Sequence, residues 1–341
     1  MFRTVRRSKA APIAALGAGV FLLAGCATGG ETAEPSDEGF DGQNVTVIVP
    51  TAAGGGLDTT FRQIQPYLED ALGTTVVIEN IDGGGSALGS SRAARDEECT
   101  TILAQAIPHL LFTYITQEVD YDLDTFAAIA GVTIEPSVIR VHKDAKWQTM
   151  EDLIADAKQR PGEISFSVSQ KTSSNYVGLL AIEDALGVDF NIVDFNGGGP
   201  ARTAVVSGEV DATHAGAFGS LAIADDSRVL AVDEPENLWP DITDNAPTMN
   251  EAFGLDLGSS GSTYNMWATA ACAENYPARY QALVDAVRTA VQDPGYLADL
   301  EAVGESDKVG YLEPEDLWSL AVETDKRLKD LVAADPDVFI S

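Results

Sequence analysis

Residues 45–58 read Val45-Thr46-Val47-Ile48-Val49-Pro50-Thr51-Ala52-Ala53-Gly54-Gly55-Gly56-Leu57-Asp58. A β-branched run stopped by a proline, then a turn of small residues, then the start of an apolar-periodic segment is the grammar of a strand–loop–helix unit. The helix is expected from about Asp58, because Phe61, Ile64, Leu68 and Leu72 fall at helical spacing. Pro66 lies inside it and should bend or shorten it, since proline removes one backbone donor and crowds the preceding turn.

The unit recurs downstream. A strand is expected over 75–79, followed by the turn Gly83-Gly84-Gly85-Ser86 and a short helix, then a strand over 100–103. A second series restarts with a strand over 138–141 and a helix opened by Thr149 and Asp152, carrying Leu153, Ile154 and Ala157. Strands over 164–168, 190–195 and 210–215 follow, separated by a hydroxyl-rich loop with its helix and by Asn196-Gly197-Gly198-Gly199-Pro200-Ala201 with another. The last third reads as helices over 277–291, 294–303 and 314–333, with Pro277 and Pro314 suited to first helical turns. Repeated units of this kind imply an α/β fold of two lobes, each a mostly parallel sheet flanked by helices. No repeat of solenoid length is visible.

The chain has 341 residues with 21 Lys+Arg against 53 Asp+Glu, a net charge of −32. Nucleic acid is thereby excluded as a partner, since counterion release needs a basic surface, and docking on an anionic membrane by charge alone is disfavoured. The apolar run near membrane length is at the start. Arg3, Arg6, Arg7 and Lys9 precede an apolar stretch that closes on Leu23-Ala24-Gly25-Cys26. This is a secretory signal, and its ending resembles the bacterial lipoprotein signal, in which the Cys is acylated. Residues 1–25 are therefore expected to be removed, Cys26 to carry lipid, and residues 26–43, acidic and rich in small residues, to tether the anchor to the domain.

Export leaves Cys99 and Cys272 in an oxidising compartment, where a pair is expected to form a disulfide. His109, His142 and His214 show no ligand spacing with either cysteine, so no metal is expected. No cofactor is expected either. The glycine runs do not match G-x-G-x-x-G, and neither a P-loop nor a G-x-S-x-G elbow is present. What remains is a set of strand-to-helix turns loaded with small and hydroxyl residues at the carboxyl ends of strands, where open α/β sheets bind ligands. Such turns favour anion binding by backbone N–H groups at helix N-termini. Lys171 and Arg202 are the nearby cations, and either is able to add a charged contact. Asp58 caps its helix or meets a ligand amine or hydroxyl.

The order Val47-Ile48-Val49-Pro50, Ala53-Gly54-Gly55, Asp58 and Arg62, then Leu72-Gly73, Val76-Val77-Ile78-Glu79-Asn80 and Gly83-Gly84-Gly85-Ser86-Ala87-Leu88-Gly89 resembles the Bug family of extracytoplasmic substrate-binding proteins. The likeness continues through Tyr121-Asp122, Phe126-Ala127-Ala128-Ile129-Ala130, Pro161-Gly162, Phe195-Asn196-Gly197, Gly208-Glu209-Val210-Asp211 and Ala246-Pro247-Thr248. The resemblance implies a two-lobed Venus-flytrap, with lobe 1 over 44–130 and 250–341 and lobe 2 over 131–249. It also implies a carboxylate held in the cleft by Thr51, Ala52, Gly54, Gly55, Asp58, Ser86, Ser169, Thr172, Ser173, Gly197, Pro200 and Ala201. The chain departs from the family at Glu98-Cys99-Thr100 and at the hydroxyl loop Gln170–Tyr176, which falls at the cleft.

The function so implied is capture of a small di- or tricarboxylate, or related organic acid, by a lipid-anchored extracytoplasmic monomer. It would hand its ligand to integral permease subunits, hinging at crossovers near 128–138 and 232–251. A sensor subunit and an exported enzyme of the same class are the alternatives.

Overall fold

The computed structural model describes residues 39, 40, 42–334 and 336. The signal, Cys26 and most of the tether lie outside the described residues. The strands are β1 (Val45–Val49), β2 (Val76–Asn80), β3 (Thr101–Ile107), β4 (Phe126–Glu135), β5 (Ser137–His142), β6 (Ser165–Val168), β7 (Asn191–Asp194), β8 (Ala212–Gly216), β9 (Ser227–Val232), β10 (Ser262–Thr269) and β11 (Val309–Leu312). The helices are α1 (Gly56–Leu72), α2 (Ala87–Ala93), α3 (His109–Thr116), α4 (Met150–Gln159), α5 (Ser174–Leu186), α6 (Gly198–Ser207), α7 (Met249–Phe253), α8 (Ala270–Asn275), α9 (Pro277–Val291), α10 (Pro294–Ala302) and α11 (Pro314–Ala334).

Two sheets form, in the orders β11-β4-β10-β3-β1-β2 and β7-β6-β8-β5-β9. The β1, β2 and β3 ladder and the β6, β7 and β8 ladder are parallel. β10 runs antiparallel to β3 and β4, β11 to β4, and β5 to both β8 and β9. The sheets are thus mixed, not mostly parallel. The antiparallel pairs are those of the strands that carry the chain between the sheets and back, β4, β5 and β10, and of the edge strands β11 and β9 beside them.

β1 is buried on both faces, as a central strand must be. Val45, Val47 and Val49 pack with Phe61, Ile64 and Leu68 of α1 and with Leu283 and Val287 of α9. Ile48 points the other way, into Leu103, Trp267, Leu317 and Leu328. The second sheet is covered similarly, with Ile139, Val141, Phe166 and Val168 against Leu153, Ile154, Leu179 and Ile182. Pro66 does not shorten α1, which runs on to Leu72 and ends at Gly73 in the left-handed conformation (φ 65°). Pro66 is exposed, so the donor it lacks leaves an Arg62 carbonyl that water can reach.

The passage between sheets lies later than the sequence reading placed it. β4 stays in the first sheet to Glu135, and β5 opens the second at Ser137. On the return, Met249, Phe253 and Leu257 still pack in the second sheet's core, and the first sheet resumes at Ser262. The connecting segments lie side by side: Asp233 N–H donates to the Ser137 carbonyl (2.8 Å) and Ser260 N–H to that of Asp233 (3.1 Å). Cys99 and Cys272, both fully buried, form a disulfide with a Cα–Cα distance of 4.6 Å. Among the described residues no helix is long and apolar enough to cross a membrane.

Candidate functional site

The N-termini of α1 and α6 meet across the two sheets. A Cβ built on Gly55 would lie 3.6 Å from the backbone nitrogens of both Gly198 and Gly199, and one on Gly199 would lie 2.9 Å from the Gly54 carbonyl oxygen. The approach at Gly199 is closed to a residue with a side chain, whereas a Cβ on Gly55 would make ordinary contact. Each helix start leaves donors without intrahelical partners. The N–H groups of Gly55, Gly56 and Gly198 have no acceptor among the described residues.

These donors line a cavity of about 50 Å³, whose walls include Thr51, Gln105, His109, Glu135, Ser169, Arg202, His214 and Tyr264. Buried polar atoms without partners concentrate there: Thr51 Oγ1, Gln105 Nε2, His109 Nδ1 and Glu135 Oε2. Gln105 is oriented by its own chain. Its Oε1 accepts from Ala106 N–H (2.8 Å), which leaves the NH₂ as the spare group. Arg202, 5% exposed, donates one hydrogen bond, from Nη2 to the Gly54 carbonyl at 3.3 Å. Burial lowers its pKa, against the neighbouring charges of Tyr264 and Glu135. Burial raises the Glu135 pKa, offset in part by Lys308, the Gly219 N–H and Arg202. Burial lowers the His109 pKa to about 4, so this imidazole is neutral at pH 7.

His214 is one of the cavity walls. Its Nδ1 lies 2.8 Å from the Asn175 carbonyl oxygen and its Nε2 lies 3.2 Å from Asp233 Oδ2. A carbonyl only accepts, so Nδ1 carries a hydrogen.

Of the residues expected at the site, Thr51, Gly55, Ser169, Gly197 and Ala201 line the cavity. The others do not, and most are committed elsewhere. Ala52 N–H donates to the Asn196 carbonyl. Gly54 N–H donates to Asp58 Oδ2 (2.9 Å), while Asp58 Oδ1 holds Arg62 and Asn80. Asp58 is thus the brace of the loop and does not cap α1, whose N-cap is Gly55. Ser86 Oγ donates to Gln170 Oε1 and Thr172 Oγ1 to the Gly85 carbonyl, so both clasp one lobe to the other. Ser173 caps α5 through Tyr176 N–H, and Pro200 lies within the first turn of α6. Glu135, Gln105, His214 and Tyr264 went unseen in the sequence. They lie on β3, β4, β8 and β10, and β4 and β10 have no polar–apolar alternation to announce a strand.

The sequence model of the tripartite tricarboxylate transporter family receptor, TctC, matches residues 60–335. The chain belongs to this family. An Agrobacterium vitis relative, described as a UPF0065 protein in the TAR-I ttuE-ttuC' intergenic region, is 26% identical over 273 residues, 79% of this chain and 77% of its own. Among solved structures, the periplasmic binding protein BugD superposes with a TM-score of 0.76 at 22% identity, covering 85% of this chain and 97% of that one. MatC from Rhodopseudomonas palustris with bound malate gives 0.73 at 24% identity, covering 85% and 98%. The family is one of transport receptors, not of enzymes. Among the described residues no group of His, Cys, Asp and Glu is arranged to hold a metal ion.

Proposed function

We propose that this TctC receptor captures a small organic acid between its lobes and delivers it to a membrane permease of the tripartite type, tethered as a monomer by lipid on Cys26. The observation that carries the reading is the convergence of two helix N-termini, Gly55–Gly56 and Gly198, with the buried Arg202 on one cavity. Unpaired backbone donors, a guanidinium and the spare NH₂ of Gln105 are all hydrogen-bond donors, and together they suit a carboxylate. The malate in MatC is consistent with a cleft of this kind.

A thermal-shift screen over mono-, di- and tricarboxylates tests it. A ligand at about 100 times its dissociation constant should stabilise the fold by roughly 2.7 kcal/mol. Tight binding of an uncharged sugar with no response to any carboxylate would refute the assignment. Reconstitution with candidate permease subunits separates transport from sensing.

A further inference from the structure

The cavity holds a buried carboxyl group as well as a buried guanidinium. Glu135, 2% exposed at the end of β4, keeps one oxygen engaged, Oε1 accepting from Gly219 N–H at 3.0 Å, and leaves Oε2 without a partner. Its carboxylate lies flat against Gly216, where a Cβ would sit 2.2 Å from Oε1. Arg202 abuts the same short segment, its Nη1 being 3.1 Å from the Cβ position of Gly219. Both groups therefore meet Gly219, yet they form no ion pair with each other. Lys308, the other cation that acts on Glu135, is spoken for by Glu305 Oε2 (2.9 Å) and Gln63 Oε1 (3.3 Å). The remaining titratable walls are His109, His214 and Tyr264, and none donates to Glu135.

A buried carboxyl with an unpartnered oxygen and a buried guanidinium with spare donors, close but unpaired, are costly unless a third species satisfies both. On the carboxylate reading above, we infer that the ligand also bears a protonated amine: its carboxylate lies on Arg202 and the α1 and α6 N-termini, and its ammonium on Glu135. Such a zwitterion leaves every charge in the cavity matched. A dicarboxylate instead sets two negative charges against one guanidinium beside Glu135, and must either keep that carboxyl protonated or bury an unmatched charge. Glu135 is then the residue that sets specificity for the amine, and Arg202 the residue that sets it for the acid.

Calorimetry on the full chain with matched pairs tests this: alanine and propionate, aspartate and succinate, glutamate and glutarate, phenylalanine and 3-phenylpropionate. The amino member of at least one pair should bind tenfold or more tightly than its partner. Glu135→Gln should reduce that preference at least tenfold, while Arg202→Gln weakens both members. A second readout needs no variant. Repeating the titration in buffers of different ionisation enthalpy should show zero net proton exchange or proton release with the preferred ligand, because an ammonium favours ionised Glu135. Proton uptake, amine-free acids binding as well as their partners, or a preference that survives Glu135→Gln would each overturn the inference while leaving carboxylate capture intact. No binding of any acid would overturn both.

Discussion

The backbone N–H of Gly54 donates to Asp58 Oδ2 at 2.9 Å, closing the first glycine loop on its own helix. The other carboxylate oxygen accepts from Arg62 Nε (2.9 Å) and Asn80 Nδ2 (2.9 Å), so one buried side chain ties loop, helix and β2 together. The donors that face the cavity, Gly55 and Gly56, are held in place by this brace.

Asp58→Ala should accordingly leave three donors without their acceptor. Hydrogen bonds to a charged group contribute about 1.5–3 kcal/mol, and half-exposed Arg62 recovers part of its loss in water, so urea unfolding should show a loss of roughly 2 kcal/mol. Ligand affinity should fall with it. Asp58→Asn, which keeps an acceptor for Gly54, should lose less on both counts. Equal stability of Asp58→Ala and the parent would show that the loop does not depend on the brace.

How much of this was legible beforehand differs between elements. The β1–α1 unit, the disulfide partners and the three C-terminal helices follow from local signals: β-branched runs, helical spacing, paired cysteines, and prolines at 277, 294 and 314. β4 and β10 do not. Phe126–Glu135 and Ser262–Thr269 are central strands, covered on both faces and paired antiparallel on both edges. Their pattern therefore carries no period, and the pairing that fixes them is long-range. With β4 hidden, Glu135 at its end was hidden too. Asp58 was legible as a helix-start carboxylate, but its actual acceptor role depends on a loop geometry that no spacing rule contains.

The Cys99–Cys272 disulfide closes a loop of 173 residues between the edge of β3 and the first turn of α8. A cross-link over so long a loop restricts the unfolded chain strongly, and loss of a native disulfide typically costs about 2–5 kcal/mol. The Cys99→Ser, Cys272→Ser double variant should lower the unfolding midpoint by that amount. Thiol titration of the unfolded, unreduced parent truncated before residue 27 should find neither thiol free. Two reactive thiols would contradict the bond.

His109 gives the fold an acid-sensitive step. Burial holds its pKa at about 4, against an ordinary 6.5. Between those values the unfolded chain binds a proton that the native one does not, so stability rises with pH across this window. The contribution is complete above pH 6.5 and is lost as pH falls towards 4. The depression corresponds to an upper bound on the order of 3 kcal/mol. His109→Gln should flatten the pH dependence of the melting temperature between 4 and 6.5 relative to the parent. Unchanged curvature would assign the acid sensitivity to other groups.

Closure of the lobes depends on Gly199. Five hydrogen bonds between described residues join the lobes around the cavity: Ala52 N–H to the Asn196 carbonyl (2.9 Å), Ser86 Oγ to Gln170 Oε1 (2.9 Å), Thr172 Oγ1 to the Gly85 carbonyl (3.2 Å), Arg202 Nη2 to the Gly54 carbonyl (3.3 Å) and Gly219 N–H to Glu135 Oε1 (3.0 Å). A Cβ on Gly199 would meet Gly54 O at 2.9 Å and Gly55 N at 3.2 Å, both of them backbone atoms of the facing lobe that have no rotamer with which to retreat. Gly198 differs, because its Cβ would meet only the side-chain end of Arg202, Nη1 at 2.8 Å, and no facing backbone. Neither glycine has a positive φ, so alanine at either position is compatible with the helix and, away from the interface, slightly favours it. Gly199→Ala should therefore fold normally yet fail to close. We expect at least a tenfold loss of ligand affinity and, in small-angle scattering, a radius of gyration that no longer falls when ligand is added. Gly198→Ala should keep closing, with a smaller loss of affinity. Wild-type compaction by Gly199→Ala would mean that the two glycine loops need not touch for the ligand to be enclosed.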